Sequence, residues 1–331
     1  MDLGSVLPVP DRVSSHAKTL FLGGMLNGFG NGIFNVVMQL YLMSFGFNST
    51  AIGTIGMMNS IGAALLTLPA GILADRYGKG KIVLLGLPLM VLAMMLALIA
   101  RSVEGFFVAF LLLGLNNGIG SLWGPLYSMF FDKEDLDKAY ALWGFINILS
   151  SSLGSLLGFI PPMLVSNYGY SQQASYWTLL VIGVGFFFAS IPFWIISVRG
   201  VVEPKNNGGS GFKFSLKSKG VVAKFSLLVF VTNIGFGAFF SLFPYYVNKK
   251  FGIQSDALGA LYFASNFVLA GANAVAPRIS KRLGALKTIV AAHVLSVPFW
   301  LMFPLAPSFT WLSIFYVVRS GMKNISSPII S

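Results

Sequence analysis

The chain has 331 residues, of which 56% are apolar and only 10% charged, and its mean hydropathy is +0.79. Soluble domains carry roughly 25% charged residues, so this composition indicates a membrane protein. Cysteine is absent and His16 and His293 are the two histidines, which excludes disulfides and thiolate metal sites. We therefore expect no metal and no cofactor. The net charge of +12 falls mostly in short connections between apolar runs, a pattern that signals membrane topology and argues against a nucleic-acid partner.

Ten apolar runs have lengths near the ~20 residues that a helix needs to cross hydrocarbon. Residues 1–18 lack the pattern of a cleaved signal peptide and are predicted to form a cytoplasmic N-terminal tail. With that orientation the outer connections hold only Arg101, Lys249 and Lys250, as the positive-inside rule requires. The predicted spans are 19–44, 51–73, 82–101, 105–130, 140–164, 175–198, 223–248, 257–279, 287–306 and 309–331.

The longest connection, residues 199–222, is predicted to be a flexible cytoplasmic linker. It contains the stretch Asn206–Gly211, which is rich in asparagine, glycine and serine, and it carries several basic residues. This linker divides the chain into an N-terminal half, 19–198, and a C-terminal half, 223–331.

A short segment of charge and glycine, residues 71–81, joins the second and third runs and is predicted to be a tight hairpin in which Gly78 and Gly80 let the chain reverse. It resembles motif A of the major facilitator superfamily, with the second basic residue displaced by Gly80. The resemblance implies an all-α membrane fold of two six-helix halves. It also implies a gating role for the motif, in which Asp75 holds the start of an eleventh helix when the cytoplasmic side is shut. The residues that carry the resemblance are Gly71, Leu73, Ala74, Asp75, Arg76, Gly78, Lys79 and Lys81.

The two halves repeat at an offset of 206 residues. The segment 45–53, FGFNSTAIG, aligns with 251–259, FGIQSDALG. Two parallel halves are the design of the superfamily that the chain resembles. Because the chain stops at Ser331 inside its tenth run, we expect it to hold spans one to ten of twelve. The same offset pairs Asn27, Arg76, Gly78 and Lys81 with Asn233, Arg282, Gly284 and Lys287, while Lys281 stands where Asp75 does.

The first span carries a stripe of carboxamides, Asn27, Asn31, Asn35 and Gln39, at steps of four residues. The stripe is about 18 Å long on one helix face. Amides at this depth face either a wet cavity or another helix, and the resemblance favours the cavity. An adjacent stripe of Gly24, Gly28 and Gly32 predicts close helix packing. Amides beside indole rings suit a sugar-like solute, and the further candidates are Asn116, Asn117, Trp123, Trp143, Asn147, Asn233, Asn266 and Asn273.

Arg319 lies ten residues into the last run, near the predicted bilayer centre, where a cation costs about 2.5 to 3.5 kcal/mol. Lys323 follows one turn later on the same face, and together they suit a carboxylate or phosphate. The alternatives are a helix that ends early at the cytoplasm, or a partner for Arg319 in further spans. Trp177, Trp300 and Trp311, near helix ends, are predicted to be membrane-interface anchors.

All ten acidic residues lie in tails or connections, so no carboxylate relay is predicted inside a span, and His293 is the candidate titrating group there. We expect a secondary active or facilitative transporter of a small polar organic solute, sugar-like or anionic, that works by alternating access. It is expected to be a monomer in the plasma membrane, with the lipid bilayer and a small-molecule substrate as partners and a proton as the candidate coupling ion. The alternatives are drug efflux by proton antiport, favoured by 15% aromatic residues and 13 methionines, and a non-transporting membrane sensor. No catalytic residue is predicted, and the chain is not expected to be an enzyme.

Overall fold

The computed structural model describes residues 10, 13–199, 201, 220 and 242–325, and within these ranges the regular structure is entirely helical. In the described residues of the N-terminal half, six segments are long and apolar enough to cross a membrane, which confirms the predicted spans to within a few residues. Their helices are α1 (Ser15–Ser44), α2 (Ser49–Tyr77), α3 (Lys79–Ile99), α4 (Val103–Gly120) continued by α5 (Trp123–Tyr127), α6 (Leu136–Leu156) continued by α7 (Ile160–Tyr168), and α8 (Gln172–Val198).

The fourth and fifth spans are not single helices as predicted. A bend at Ser121 and Leu122 separates α4 from α5, and a short 3-10 turn, Leu157–Phe159, separates α6 from α7. Two prolines follow at the start of α7, where the missing N–H and the fixed φ of proline are tolerated. The described C-terminal half contains α9 (Phe243–Phe251), α10 (Ser255–Leu283), α11 (Ala285–Met302) and α12 (Phe309–Asn324). Most of the seventh predicted span, 223–248, and most of the linker lie outside the described residues.

The predicted hairpin over 71–81 is reduced to a single residue. Helix α2 continues through Asp75 to Tyr77, and α3 begins at Lys79, so that only Gly78 leaves the helical conformation, with φ 99° and ψ 140°. Its N–H still donates to the carbonyl of Ala74 at 2.9 Å. Gly80 is buried inside α3, so its predicted role in the turn is wrong. Continuing the helices to the turn keeps their backbone groups hydrogen-bonded, which is required at a membrane boundary.

We expect Gly78→Ala to lower the free energy of unfolding by about 1–3 kcal/mol, because alanine at this positive φ is strained. Gly71 is the matched control, since it lies inside α2 with no atom within 4 Å of an added methyl group. Gly71→Ala should be neutral or stabilising by up to about 1 kcal/mol through helix propensity. Thermal midpoints of the two purified variants check this, and equal midpoints would contradict it.

Backbone geometry follows the offset of 206 residues closely. Helices α2 and α10 begin and end at equivalent positions, 49 with 255 and 77 with 283. Two pairs of glycines with positive φ also correspond, Gly46 with Gly252 (81° and 69°) and Gly78 with Gly284 (99° and 85°). These glycines mark the two ends of the helix bundle, which are called the Gly46 end and the Gly78 end below.

The helix caps of α4 and α12 correspond as well. The side chain of Ser102 accepts from the N–H of Gly105 at the start of α4, and the side chain of Ser308 accepts from the N–H of Trp311 at the start of α12. The offset of 206 residues relates Ser102 to Ser308 and Gly105 to Trp311. Residues of α12 can therefore be assigned their equivalents in α4 one by one.

Within the described residues, the two halves meet at the Gly46 end. One buried cluster there combines residues of the N-terminal half, such as Tyr41 and Phe106, with Phe243, Phe303 and Tyr316 of the C-terminal half. The buried clusters nearer the Gly78 end consist of N-terminal-half residues in the part of the chain that is described. The apolar contact between the halves is thus concentrated at one end of the bundle.

A second contact between the halves runs along α6 and α10 and consists of small residues. The hydroxyl of Ser255 donates to the carbonyl of Gly158 at 2.7 Å, and the hydroxyl of Ser155 donates to the carbonyl of Gly259 at 3.2 Å. One turn further in, Ser152 donates to the carbonyl of Phe263 at 3.2 Å. Serine and glycine allow this close backbone approach and satisfy the polar groups at the contact, which we call the α6–α10 seam.

Candidate functional site

A cavity of about 530 Å³ lies among α1, α2, α3, α4, α6 and α8, and its volume suits a small organic molecule. Its described wall carries many carboxamides and no charged residue. Aromatic rings and methionines supply much of the remaining surface, among them Phe34, Trp123, Trp143, Met90 and Met94. The carboxamides are Asn27, Asn31, Asn35, Gln39, Asn59, Asn116, Asn117 and Asn147.

Helix α1 presents its amide stripe to the cavity because its glycine stripe packs against α6. A methyl group on Gly28 would lie 2.7 Å from Cβ of Ser150, and one on Gly32 would overlap the carbonyl of Ser151. The glycine stripe is therefore a close-packing surface, as predicted. The neighbouring face remains open, and Asn31 donates there to the side-chain oxygen of Asn27 at 2.7 Å.

Tryptophans form the wall of the cavity toward the Gly78 end, and glycines of α1 make room for them. A methyl group on Gly24 would lie 2.7 Å from the ring of Trp143, and one on Gly23 would lie 2.5 Å from the ring of Trp194. In the described part of the chain, the buried indole N–H of Trp194 has no hydrogen-bond partner. This nitrogen is buried against Gly23, where an added methyl group would lie 2.6 Å from it.

The opposite wall is built from α2 and α4, whose backbones lie close together. A methyl group on Gly114 would overlap the carbonyl of Asn59, and the side chain of Asn117 donates to the side-chain oxygen of Asn59 at 3.3 Å. On α6, the side chain of Asn147 donates to the carbonyl of Trp143 at 2.8 Å. These contacts hold the amides in place, and each amide has further hydrogen-bonding capacity.

The cavity brings together most of the residues that the sequence singled out. Asn27, Asn31, Asn35, Gln39, Asn116, Asn117, Trp123, Trp143 and Asn147 all line it. Among the described carboxamides and tryptophans of the wall, two were missed, Asn59 in α2 and Trp194 in α8. Asn59 carried the same signal as the others, a carboxamide in an apolar run. Asn266 of α10 and Arg319 of α12 are not among its described lining residues, and Asn233 and the side chain of Asn273 lie outside the described part of the chain.

Arg319 is buried in the C-terminal half, with only 3% of its surface exposed. Its guanidinium carbon lies 4.4 Å from the ring centroid of Trp300, within the range of a cation–π contact. Trp300 is half-buried and packs against this buried cation, and its predicted role as an interface anchor stays a prediction. Lys323 and His293 lie near enough to Arg319 to interact with it electrostatically.

The motif-A residues form the surface of the Gly78 end. Leu73, Asp75, Arg76 and Lys81 are exposed there, and Gly71 and Lys79 are half-buried. The gating role implied by the resemblance remains a prediction. At the start of α6, Lys138 forms an ion pair with the N-cap residue Asp135 at 3.0 Å.

A family model described as Major Facilitator Superfamily matches residues 20–330. An uncharacterized transporter of Rickettsia felis is 26% identical over 235 residues, which cover 67% of this chain and 54% of that protein. The chain thus spans about half the length of that relative. A probable 4-methylmuconolactone transporter of Cupriavidus pinatubonensis is 29% identical over 103 residues, or 31% of this chain and 24% of that protein.

Two solved structures show the same architecture. The human organic anion transporter MFSD10 (TETRAN) has a TM-score of 0.67 at 17% identity, with 95% of this chain and 83% of that chain covered. The nucleoside transporter NupG has a TM-score of 0.67 at 12% identity, with 96% of this chain and 80% of that chain covered. At these identities the likeness concerns the fold alone. The family match along nearly the whole chain and the shared fold together show that the chain belongs to the Major Facilitator Superfamily.

Proposed function

We propose that this chain transports a small polyhydroxylated solute, such as a sugar-like molecule or a nucleoside, across a membrane by alternating access. The observation that carries the proposal is the cavity wall, in which eight carboxamides and no charged side chain occur among the described residues. Each amide offers both donors and acceptors, and each hydroxyl of a polyol needs both. A wall of this kind matches a part of a solute that carries several hydroxyls.

The aromatic wall supports the same class of solute. The rings of Trp123 and Trp143 offer flat apolar surfaces for the C–H faces of a sugar ring or for a nucleobase. A purely lipophilic substrate would leave the amides desolvated and unpaired, which costs about 1–3 kcal/mol for each buried group.

Alternating access is supported by where the halves touch. The described contact between them is concentrated at the Gly46 end, as expected of a state in which the cavity opens toward the Gly78 end. The basic residues Arg76, Lys79 and Lys81 favour a cytoplasmic location for the Gly78 end. We accordingly propose a multi-pass plasma-membrane protein with its N-terminus in the cytoplasm, acting as a monomer, with a proton as the candidate coupling ion.

Drug efflux is the second candidate, because Met38, Met90 and Met94 give the cavity wall adaptable apolar side chains. Lipophilic cations would then bind in place of polyols. A non-transporting sensor would bind a solute without moving it.

The proposal is tested with the purified chain and a panel of glucose, uridine, benzoate and tetraphenylphosphonium, measuring binding by thermal stabilisation and movement by uptake into proteoliposomes. We expect glucose or uridine to stabilise the chain and Asn31→Ala to weaken that binding about fivefold, the effect of losing one or two neutral hydrogen bonds. Asn167→Ala, a change at an exposed residue of α7, is the matched control and should leave binding unchanged.

Stabilisation by tetraphenylphosphonium alone, insensitive to Asn31→Ala, would overturn the polyol proposal in favour of efflux. Binding of a polyol without uptake would overturn transport in favour of a sensor.

A further inference from the structure

We propose that the C-terminal half carries an anion-binding site, formed by Arg319 and Lys323 of α12 with His293 of α11, which binds a carboxylate or phosphate group of the transported solute. The inference rests on the proposed function, because it assigns the site to the same solute that the amide-lined cavity binds. The solute would then be a polyhydroxylated anion, such as a sugar acid or a sugar phosphate.

The internal repeat determines which way α12 faces. The offset of 206 residues makes Arg319 equivalent to Leu113 and Lys323 equivalent to Asn117. Both Leu113 and Asn117 line the cavity of the N-terminal half. The equivalence applies to single residues, since α4 and α12 begin at positions 103 and 309 with the same serine cap.

Packing between helices supports the same orientation. In the C-terminal half, a methyl group on Gly321 of α12 would lie 3.0 Å from Val268 of α10. The equivalent pair in the N-terminal half is Leu115 of α4 and Gly62 of α2, which are also in contact. Because α12 rests on α10 through the same pair of positions, its remaining faces correspond to those of α4. Arg319 and Lys323 therefore lie on the face that is turned to the centre of the molecule.

The surroundings of Arg319 correspond to cavity wall as well. Trp300, Tyr316 and His293 are equivalent to Met94, Phe110 and Leu87, and all three of those residues line the N-terminal cavity. The C-terminal counterpart thus has an indole, an imidazole and a phenol where the N-terminal wall has methionine, leucine and phenylalanine side chains. The two cations lie beside them. A wall so altered is adapted to a polar, negatively charged group.

Charge balance provides the second argument. Arg319 lies ten residues into α12, about 15 Å along the helix from its start, near mid-membrane. Lys323 follows one helical turn later, so that α12 holds two like charges close together at this depth. A bound anion would offset the cost of holding these two cations together at low dielectric.

The side-chain chemistry suits a carboxylate or phosphate. The ring centroid of Trp300 lies 4.4 Å from the guanidinium carbon of Arg319, so that the indole packs against the cation. The planar fork of a guanidinium binds carboxylate and phosphate oxygens in a bidentate manner, and an ammonium one turn away adds a second charge-assisted hydrogen bond. The indole restrains the guanidinium before an anion arrives, which lowers the entropic cost of binding.

The test compares three probes that share a sugar ring, namely glucose, glucuronate and glucose 6-phosphate, on the purified chain in neutral phosphatidylcholine nanodiscs. We expect an anionic probe to bind about tenfold or more tightly than glucose, the effect of one or two charge-assisted hydrogen bonds. Arg319→Gln and Lys323→Gln should remove that advantage and leave glucose binding within about twofold. Arg319→Lys keeps the charge without the planar fork and should restore part of the advantage. Lys287→Gln removes an exposed charge of α11 and should change neither affinity.

The outcomes separate this inference from the proposed function. If glucose binds in a manner that depends on Asn31 and the anionic probes bind no better, the anion site is refuted and the polyol cavity stands. If the anionic probes bind through Arg319 without any effect of Asn31→Ala, the anion site stands and the polyol cavity is refuted. Stabilisation by phosphatidylglycerol in the nanodisc that requires Arg319 and is not displaced by glucuronate would assign the site to a lipid headgroup and overturn the inference.

Discussion

Gly158→Val should slow transport about tenfold or more while leaving the chain folded. Gly158 lies between α6 and α7, and a side chain there would overlap the carbonyl oxygen of Ser255 in the other half. Overpacking of this kind costs about 1–3 kcal/mol. An added Cβ would also lie 3.0 Å from Val36 in the same half, but the overlap with Ser255 exists only in states in which the α6–α10 seam is closed. The equilibrium therefore shifts about tenfold or more toward states open at the Gly46 end. A transporter that closes one end less often completes fewer cycles.

The rate at which a thiol in the cavity is labelled from the Gly46 side measures this shift directly. The chain contains no cysteine, so that a single one can be introduced. Asn35→Cys places a thiol on the exposed, cavity-facing side of α1. In the Gly158→Val background, a membrane-impermeant maleimide added on the Gly46 side should label it about tenfold faster than in the parent. Gly185→Val is the control, since no atom lies within 4 Å of an added Cβ, and it should leave the labelling rate unchanged. Unchanged labelling in both variants would show that the seam does not close the cavity.

Periodicity along single helices predicted much of the fold and of the cavity. Apolar run lengths gave the six N-terminal spans, and the four-residue spacing of Asn27, Asn31, Asn35 and Gln39 identified one cavity wall. The offset of 206 residues, recognised in the sequence, also holds for helix ends and for turn glycines. These features are determined by residues that are close together in the chain, and they can therefore be predicted from the sequence.

Features that depend on contacts between helices were not predicted. Asn59 enters the cavity wall because Gly114 brings α4 against its backbone, and Trp194 does so because Gly23 makes room for its ring. Similarly, the contact between Trp300 and Arg319 joins two helices, and it was not predicted. The sequence contains each residue of these pairs, but the choice of partner is made by tertiary packing.

Close packing of α1 on α6 should make Gly154 intolerant of even one methyl group. A methyl on Gly154 would overlap the carbonyl oxygen of Phe29, and the α1 glycines already bring the two backbones together. We expect Gly154→Ala to lower the free energy of unfolding by about 1–3 kcal/mol, despite the higher helix propensity of alanine.

Gly144 provides the matched control, because it lies on the same helix, ten residues earlier, with no atom within 4 Å of an added methyl group. Gly144→Ala should leave the thermal midpoint unchanged or raise it, whereas Gly154→Ala should lower it. Since the carboxamides of α1 face the cavity only while its glycines pack on α6, Gly154→Ala should also weaken binding of a polyol, measured by the ligand-induced shift of the midpoint. A lowered midpoint with unchanged polyol affinity would show that the amide stripe is positioned independently of the α1–α6 contact.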